Sequence, residues 1–212
     1  MNYKDIIRQG YNKVSYAYYG DNGCPLNNAS EDWVKVIIDR LDPGSKVLEL
    51  GCGCGMPAAK LLAEKFDVLG IDISDTQIDR ARQFVPDAEF IRMDFLDYEF
   101  PPEHYDAVVS FYAIVHVPLE RQPELLERIT AALKPGGLLM LIAGHRAWTG
   151  TEDNWLGVEG ATMYWSHADR DTYAEWIKQV GLVLEWEEFI PEDNSGHSLF
   201  LAQKPEGNAG LL

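Results

Sequence analysis

Three glycines at alternate positions, Gly51, Gly53 and Gly55, follow the acid Glu49 and interrupt an apolar run that begins at Val47. Glycine carries no Cβ, so a ligand can press against its backbone and a turn can take φ > 0 there. The third glycine falls one residue early for a Gly-x-Gly-x-x-Gly dinucleotide turn, and Met56 stands where that glycine would be. That spacing disfavours a pyrophosphate ligand and a nicotinamide-dependent reductase. Two further acids, Asp72 and Asp94, each close an apolar run. Asp72 lies about twenty residues past the glycines, where a carboxylate can accept from two neighbouring hydroxyls at once. The chain has five histidines, His104, His116, His145, His167 and His197, the side chain able to exchange a proton near neutral pH. Cys52 and Cys54 have no second cysteine pair to complete a soft-metal site, so they read as small residues filling a tight turn, and no metal is expected.

The elements that must position these residues alternate. A helix is expected over Tyr3 to Tyr19, rich in tyrosine and broken by Gly20-Asp21-Asn22-Gly23-Cys24-Pro25. Ser30 can cap a helix through Trp33 to Ile38, ended by Asp42-Pro43-Gly44-Ser45. Val47 to Leu50 reads as a buried strand, and Ala58 to Lys65 as a helix whose N–H groups face the glycine turn. A second strand is expected over residues 67–73. Ser74-Asp75-Thr76-Gln77 then starts a helix to Phe84 with a capping-box pattern. Glu89 to Asp94 and Tyr105 to Tyr112 read as strands three and four, and residues 119–133 have helical spacing at Leu125, Leu126, Ile129 and Leu133. Lys134-Pro135-Gly136-Gly137 predicts a helix stop and tight turn before a fifth strand, Leu138 to Ala143.

Residues 144–166 show no strong periodicity and carry Trp148, Trp155, Tyr164 and Trp165. Asp169 to Val180 predicts a helix closed by Gly181, and 182–190 with 198–203 predict a hairpin of two strands. Alternating strands and helices imply a doubly wound, mainly parallel sheet with helices on both faces, and the closing hairpin adds one antiparallel edge strand. Residues 1–204 are read as one domain, with an N-terminal helical cap (1–28), an aromatic lid (144–166) and a flexible tail (205–212). Ligands in such sheets sit at the carboxyl ends of strands. The glycine turn, Asp72, Asp94 and Ser110 to Tyr112 all fall at such ends.

With 34 acidic and 18 basic side chains the net charge is −16, which repels a phosphate backbone and disfavours DNA or RNA as substrate. No apolar run is long enough to span a membrane and the N-terminus has no apolar signal core, so a cytoplasmic protein is expected. An odd number of cysteines, three, makes no disulfide framework.

Glu49-Leu50-Gly51-Cys52-Gly53-Cys54-Gly55, the acids at Asp72 and Asp94, and Leu133-Lys134-Pro135-Gly136-Gly137-Leu138 together resemble class I, Rossmann-like S-adenosylmethionine-dependent methyltransferases of small-molecule type. The resemblance covers roughly residues 11 to 203 and implies a seven-stranded sheet with S-adenosyl-L-methionine as cofactor. It implies that Gly51, Gly53 and Gly55 admit the methionine part, Asp72 the ribose, and Asp94 with Met93 and Phe95 the adenine, with Ile73 also in the cofactor set. Glu49, Ser110 and Phe111 complete the cofactor set. Tyr11 to Tyr18 resembles the family's tyrosine-bearing entry helix, which implies cofactor contacts for Tyr11 and Tyr18; packing on the body is the other reading of that helix.

The implied reaction is in-line displacement at a sulfonium methyl by an oxygen or nitrogen of a small-molecule acceptor. A thiol or other soft acceptor is the alternative, as is a cofactor-binding regulatory protein that transfers nothing. The protein's main task would be alignment, with a base needed only for a protonated nucleophile. His116 follows strand four near the implied methyl position, His145 follows strand five, and His197 precedes the last strand; each is a candidate base. His167 reads as local structure and His104 as exposed loop. Tyr16, Trp148, Trp155, Tyr164 and Trp165 are candidate walls for the substrate.

Overall fold

A computed structural model describes residues 2–20, 28–192 and 195–207. The elements run α1 (Tyr3–Tyr19), α2 (Asn28–Ile38), β1 (Lys46–Leu50), α3 (Ala58–Leu62), β2 (Asp67–Asp72), α4 (Asp75–Phe84), β3 (Glu89–Arg92), β4 (Tyr105–Ser110) and α5 (Gln122–Ala132). They continue with β5 (Leu133–Gly144), β6 (Trp148–Glu152), β7 (Met163–His167), α6 (Arg170–Gln179), β8 (Val183–Glu192) and β9 (Ser195–Gln203). Seven strands form one sheet in the order β3-β2-β1-β4-β5-β9-β8, and β6 pairs with β7 in a separate two-stranded sheet. The chain divides into two compact units, residues 1–98 with 149–165, and residues 99–148 with 166–212. Among the described residues no helix is long and apolar enough to cross a membrane.

In the first unit β1 and β2 are parallel, with Val47 opposite Val68 and Leu50 opposite Ile71, and β2 and β3 are parallel with Asp72 opposite Arg92. Val47, Leu48, Leu50 and Ile71 are fully buried, as expected of strands covered on both faces. Gly70 is required by close packing, because a Cβ there would lie 2.7 Å from the Phe90 ring. Ser74 caps α4 as the sequence pattern predicts, its hydroxyl accepting from the Gln77 amide at 3.2 Å.

Helix α1 spans the predicted residues and is fastened to α4 by polar contacts. Asn12 Oδ1 accepts from the Ser74 hydroxyl at 2.6 Å and the Thr76 amide at 3.2 Å. The buried Arg80 guanidinium donates to the Ser15 carbonyl at 2.6 Å, the Ser15 hydroxyl at 2.8 Å and the Gly20 carbonyl.

In the second unit β4 and β5 are parallel, and β9 runs antiparallel to both β5 and β8, so the antiparallel pairing lies at this edge of the sheet. Leu138 to Ala143 are all fully buried. Asp169 caps α6 by accepting from the Thr172 amide at 2.9 Å.

Four expectations change. The helix after the glycine turn ends at Leu62, not Lys65, because a reverse turn (Lys65 N–H to Leu62 carbonyl, 3.1 Å) must bring the chain into β2 at Asp67. The Leu-Lys-Pro-Gly-Gly stretch stops α5 but is not a tight turn. It belongs to β5 as an irregularity between the pairs Tyr105–Leu133 and Ala107–Leu138, with Gly136 and Gly137 bonded to Lys204. Residues 144–166 contain β6 and most of β7, strands whose mixed polar and aromatic composition hides them from a hydrophobic pattern. The second helix begins at Asn28, so Ser30 lies inside its first turn. The predicted break at 20–25, the interior of the 191–196 turn and most of the tail lie outside the described residues.

Among the described residues Arg80 is the one buried cation joining α1 to α4 in this way. Arg80→Met removes its donors and leaves the Ser15 and Gly20 carbonyls behind, so urea unfolding is expected to show a loss of roughly 2–4 kcal/mol. Limited proteolysis of the variant should cut first within residues 3–20; unchanged stability and cleavage would show that α1 is held otherwise.

Candidate functional site

The glycine turn is tied to the neighbouring strand by its own amides, which donate to a carbonyl and a carboxylate of β2. The Ile71 carbonyl accepts from the Gly51 amide at 2.7 Å and the Cys52 amide at 3.1 Å. The Asp72 carboxylate accepts from the Gly53 amide at 3.0 Å and the Ser74 amide at 2.8 Å. Gly51, Gly53 and Gly55 have φ of +74°, +53° and +78°, so all three need glycine for conformation alone. What lies beside them differs. A Cβ on Gly53 would come within 2.5 Å of the Tyr19 hydroxyl, whereas one on Gly55 would meet Val85 at 3.0 Å and Phe90 at 3.3 Å. Gly53 therefore faces the cover supplied by α1, and Gly55 faces the packing of α4 on β3. The helix after the turn has only five residues, too short to contribute a developed terminal dipole.

Two carboxyl groups sit at the strand ends. Glu49 is buried in β1, and its Oε2 has no hydrogen-bonding partner among the described residues. Burial, reinforced by the Asp72 charge and opposed by the Ala59 amide, pushes the Glu49 carboxyl up to about 8. Burial likewise raises Asp72 to about 6, against the amides of Ser74, Gly53 and Ile73 that favour its anion. Acids held in this way suit a cationic ligand, which would restore both negative charges.

Aromatic side chains gather beside the turn. Tyr11 packs edge-on against Tyr18 (centroids 6.4 Å apart) and Trp155 (5.7 Å). Tyr18 also meets Tyr19 at 4.5 Å and Trp155 at 5.5 Å, and Trp155 meets Trp165 at 5.6 Å. Burial drives the hydroxyls of Tyr11 and Tyr19 well above the ordinary tyrosine range, so both stay neutral hydrogen-bonding groups. Tyr16 points elsewhere and lies over the Arg80 guanidinium at 4.3 Å. Tyr164 pairs with Tyr3 at 5.9 Å.

Asp94 caps a short 3₁₀ turn by accepting from the Leu96 amide at 2.9 Å, and its other oxygen pairs with Lys4 at 2.8 Å. Burial acts to lower the Lys4 ammonium, but Asp94 and Asp97 outweigh it and hold its pKa above the usual range. The Met93 amide donates to the Asp72 carbonyl at 2.9 Å, which sets the two strand ends side by side. Ile73, Met93 and Phe95 are half-buried next to these acids in the chain.

The second unit carries the histidines. Ser110 closes β4 and is buried, Phe111 is half-buried, and Tyr112 adopts φ +61°. A bulky residue in that region carries strain of order 1–3 kcal/mol, held by its surroundings. His116 is buried in the segment Ile114–Val117, which Gln122 clamps by donating to the carbonyls of Ile114 (3.1 Å), Val117 (2.7 Å) and Ser166 (2.7 Å). Gln122 in turn accepts from the Tyr173 hydroxyl at 2.6 Å.

His145 Nδ1 lies 2.9 Å from the Ser198 hydroxyl, and its ring is 4.4 Å from Phe189. His197 Nδ1 lies 3.0 Å from Glu192 Oε2, its ring 5.0 Å from Tyr112 and 6.3 Å from His167. His167 packs directly on Gly144 and stands 6.3 Å from Trp148, itself 47% exposed.

The predicted residues thus fall into two groups: Tyr11, Tyr18, Glu49, the glycines, Asp72, Ile73, Met93, Asp94, Phe95, Trp155 and Trp165 in the first unit, and Ser110, Phe111, His116, His145, Trp148 and His197 in the second. Tyr16 and Tyr164 belong to the first unit but lie on other contacts. Three residues escaped the sequence reading. Tyr19 covers Gly53, Glu192 faces His197, and Gln122 holds the loop of His116. Among the described residues no group of three or more metal-ligating side chains has geometry for a metal.

A seven-stranded sheet with a glycine turn after β1 and acids closing β2 and β3 is the architecture of class I methyltransferases. Residues 47–137 match the family described as methyltransferase domain. The match places residues 47–137 in that methyltransferase domain family, and relatives and solved structures similar to this chain are themselves named as methyltransferases. The 2-methyl-6-phytyl-1,4-hydroquinone methyltransferase of Synechocystis sp. is 32% identical over 162 residues, covering 69% of this chain and 49% of that protein. The sterol 24-C-methyltransferase of Yarrowia lipolytica is 26% identical over 172 residues, covering 73% of this chain and 44% of that protein. This chain therefore spans about half or less of these curated relatives. In fold it is similar to phosphoethanolamine N-methyltransferase 2 of Haemonchus contortus, with a TM-score of 0.74 at 18% identity, covering 97% of this chain and 61% of that one.

Because the Glu49 carboxyl titrates higher folded (about 8) than the ordinary 4.5, its contribution to ligand-free stability is whole below about pH 4.5 and is lost as pH rises through 8. Glu49→Gln removes that titration. Thermal unfolding without ligand should therefore show the variant gaining on the wild type between pH 5 and pH 9; parallel curves would mean that Glu49 is not held protonated.

Proposed function

We propose that this protein transfers a methyl group to an oxygen or nitrogen atom of a small molecule by in-line displacement. The observation that carries the reading is the turn bonded to Asp72 through Gly53, with the buried, partly unpartnered Glu49 beside it. S-adenosylmethionine fits that donor set, since its sulfonium and ammonium charges answer two acids that are otherwise raised by burial. When bound, it supplies a methyl group already activated by the positive sulfur.

The chain's own residues then bind and align. Asp72 takes the ribose hydroxyls, Ile73, Met93 and Phe95 line the adenine, and the turn admits the methionine part. Tyr11, Tyr18 and Trp155 form an apolar wall beside the turn that excludes water. Asp94, bound to Lys4 and the Leu96 amide, is positioned at the adenine edge by contacts already made.

A small acceptor is supported by the charge of −16, which repels nucleic acid, and by the hydroquinone, sterol and phosphoethanolamine named for the similar proteins. An oxygen or nitrogen atom is supported by the histidines of the second unit, since such acceptors carry a proton that must leave.

Calorimetric titration tests the cofactor reading. Wild-type protein should bind S-adenosylmethionine and S-adenosylhomocysteine and not NADH. Asp72→Asn keeps the size of the side chain but removes its charge, and should weaken both at least about tenfold, the loss of one charge-assisted hydrogen bond. Unaltered affinity in the variant would remove Asp72 from the ribose site, and no binding of S-adenosylhomocysteine by the wild type would sink the proposal.

A further inference from the structure

The segment between β6 and β7 holds its backbone in a form that its residues seldom take. Asn154 and Leu156 have φ of +54° and +55°, so two left-handed residues flank Trp155. The conformation is held by bonds within the segment and to α1. Asn154 Oδ1 accepts from the Gly160 amide at 2.8 Å, and the Ala161 carbonyl accepts from the Trp155 amide at 2.9 Å. Lys13 of α1 donates to the Gly160 carbonyl at 2.6 Å. Gly10 lets α1 close in just before β7, since a Cβ there would lie 2.6 Å from the Thr162 carbonyl. The strained turn delivers the half-buried Trp155 indole against α1, beside Tyr18, which is 37% exposed.

The orientation of the rings says what they can take. Tyr11 stands at 82° to Trp155 and at 75° to Tyr18, while Tyr18 and Trp155 are inclined at 37° with centroids 5.5 Å apart. A flat ring stacked between two others needs their faces parallel and about 7 Å apart, twice the contact distance between carbon atoms. These three rings offer no such slot. Faces turned in different directions suit a compact positive charge, which is drawn to an aromatic face by its quadrupole.

The surrounding charge has one sign. The Asp72 carboxylate acts on Tyr11 and Tyr19, and Tyr19 joins the rings to the turn by meeting Tyr18 at 4.5 Å and covering Gly53. Glu152, Asp153 and Glu159 are exposed on the segment that carries Trp155. Lys13, the ammonium facing that segment, is bonded to the Gly160 carbonyl. An anionic acceptor is repelled here and a cation is attracted. All of these residues belong to the first unit.

We propose that the methyl acceptor is an amine, recognised by Trp155 with Tyr11 and Tyr18 as its nitrogen becomes an ammonium. The proposal rests on the methyltransferase reading above and narrows the acceptor atom to nitrogen. The amine lone pair forms the new bond to the methyl carbon, and the pair of the broken carbon–sulfur bond stays on the sulfur of S-adenosylmethionine. Positive charge moves from sulfur to nitrogen, and the ring faces stabilise it in its new place. The product of a primary or secondary amine then gives its proton to water; that of a tertiary amine keeps its charge.

Choline and 3,3-dimethylbutan-1-ol share one shape and differ by one positive charge. Each is titrated into the ¹⁵N-labelled full chain saturated with S-adenosylhomocysteine, following the Trp155 indole resonance assigned with Trp155→Phe. Choline should move that resonance and bind at least about tenfold more tightly than the alcohol. Trp155→Leu should cut the preference to about threefold or less, and Trp155→Phe, which keeps a ring face, should retain more of it. Tyr18→Leu, at a more exposed position, carries the same comparison through a second ring if Trp155→Leu does not fold. Equal affinity for the two probes in the wild type, or an undiminished preference in the leucine variants, overturns the proposal. So does a Trp155→Leu effect confined to S-adenosylmethionine against S-adenosylhomocysteine, which would assign the rings to the sulfonium. Binding of S-adenosylhomocysteine without a choline preference refutes the amine alone, whereas no binding of S-adenosylhomocysteine by the wild type refutes the methyltransferase reading itself.

Discussion

A single carboxylate sets the geometry of the first unit. Asp72 accepts from Gly53 with one oxygen and from Ser74 with the other, so the turn after β1 and the start of α4 are held on two edges of one rigid plane. The same Ser74 caps α4 through its hydroxyl and donates to Asn12 of α1. Turn, helix and covering helix are therefore linked in series, and each link uses a polar atom that would otherwise be buried without a partner. The Ile71 carbonyl, one residue earlier, does the same task from the backbone by accepting from Gly51 and Cys52. Successive residues of β2 thus hold successive residues of the turn, Gly51 to Gly53, and Gly55 closes it by donating to the Cys52 carbonyl.

The two units treat carboxylates in contrary ways. Glu49 and Asp72 are raised by burial and, for Glu49, by the neighbouring acid. Glu192 is lowered because a histidine and a tyrosine hydroxyl donate to it. In a chain of net charge −16, a pair of neighbouring buried acids is costly to ionise. Such a pair makes sense beside a ligand that brings positive charge, while a carboxylate already satisfied by donors makes sense as a fixed support. The two units thus hold their carboxyl groups in opposite electrostatic states.

Much of this was legible in the sequence, and for identifiable reasons. Parallel strands are apolar on both faces, so β1, β2, β4 and the buried part of β5 stand out as runs, and the acids or glycines that end them mark the ligand-facing rim. The cap at Ser74 was readable because the capping residue and its partner lie within three positions. The strands β6 and β7 were not readable. Trp-Thr-Gly-Thr-Glu and Met-Tyr-Trp-Ser-His present no alternation of apolar and polar residues, and β6 is mostly exposed. Tyr19 was passed over because four tyrosines in one helix look alike until the helix docks. Docking sends Tyr19 to Gly53 and Tyr16 to Arg80.

Glu192 illustrates a different limit. Its partner His197 is five residues away along the chain, across the closing turn of a hairpin, and the strand register places Glu192 opposite Ser195 and His197 opposite Ile190. The contact is therefore diagonal, between side chains two positions out of register, which no periodicity announces. Its second ligand, Tyr112, comes from the far end of β4, and its approach depends on a backbone conformation that tyrosine seldom takes. A histidine placed by its strand is visible in a sequence; the group that decides which of its nitrogens holds the proton is not. Among His116, His145 and His197 the discriminating fact is the chemistry of the partner: backbone clamping around the first, a two-way hydroxyl for the second, a one-way acceptor for the third.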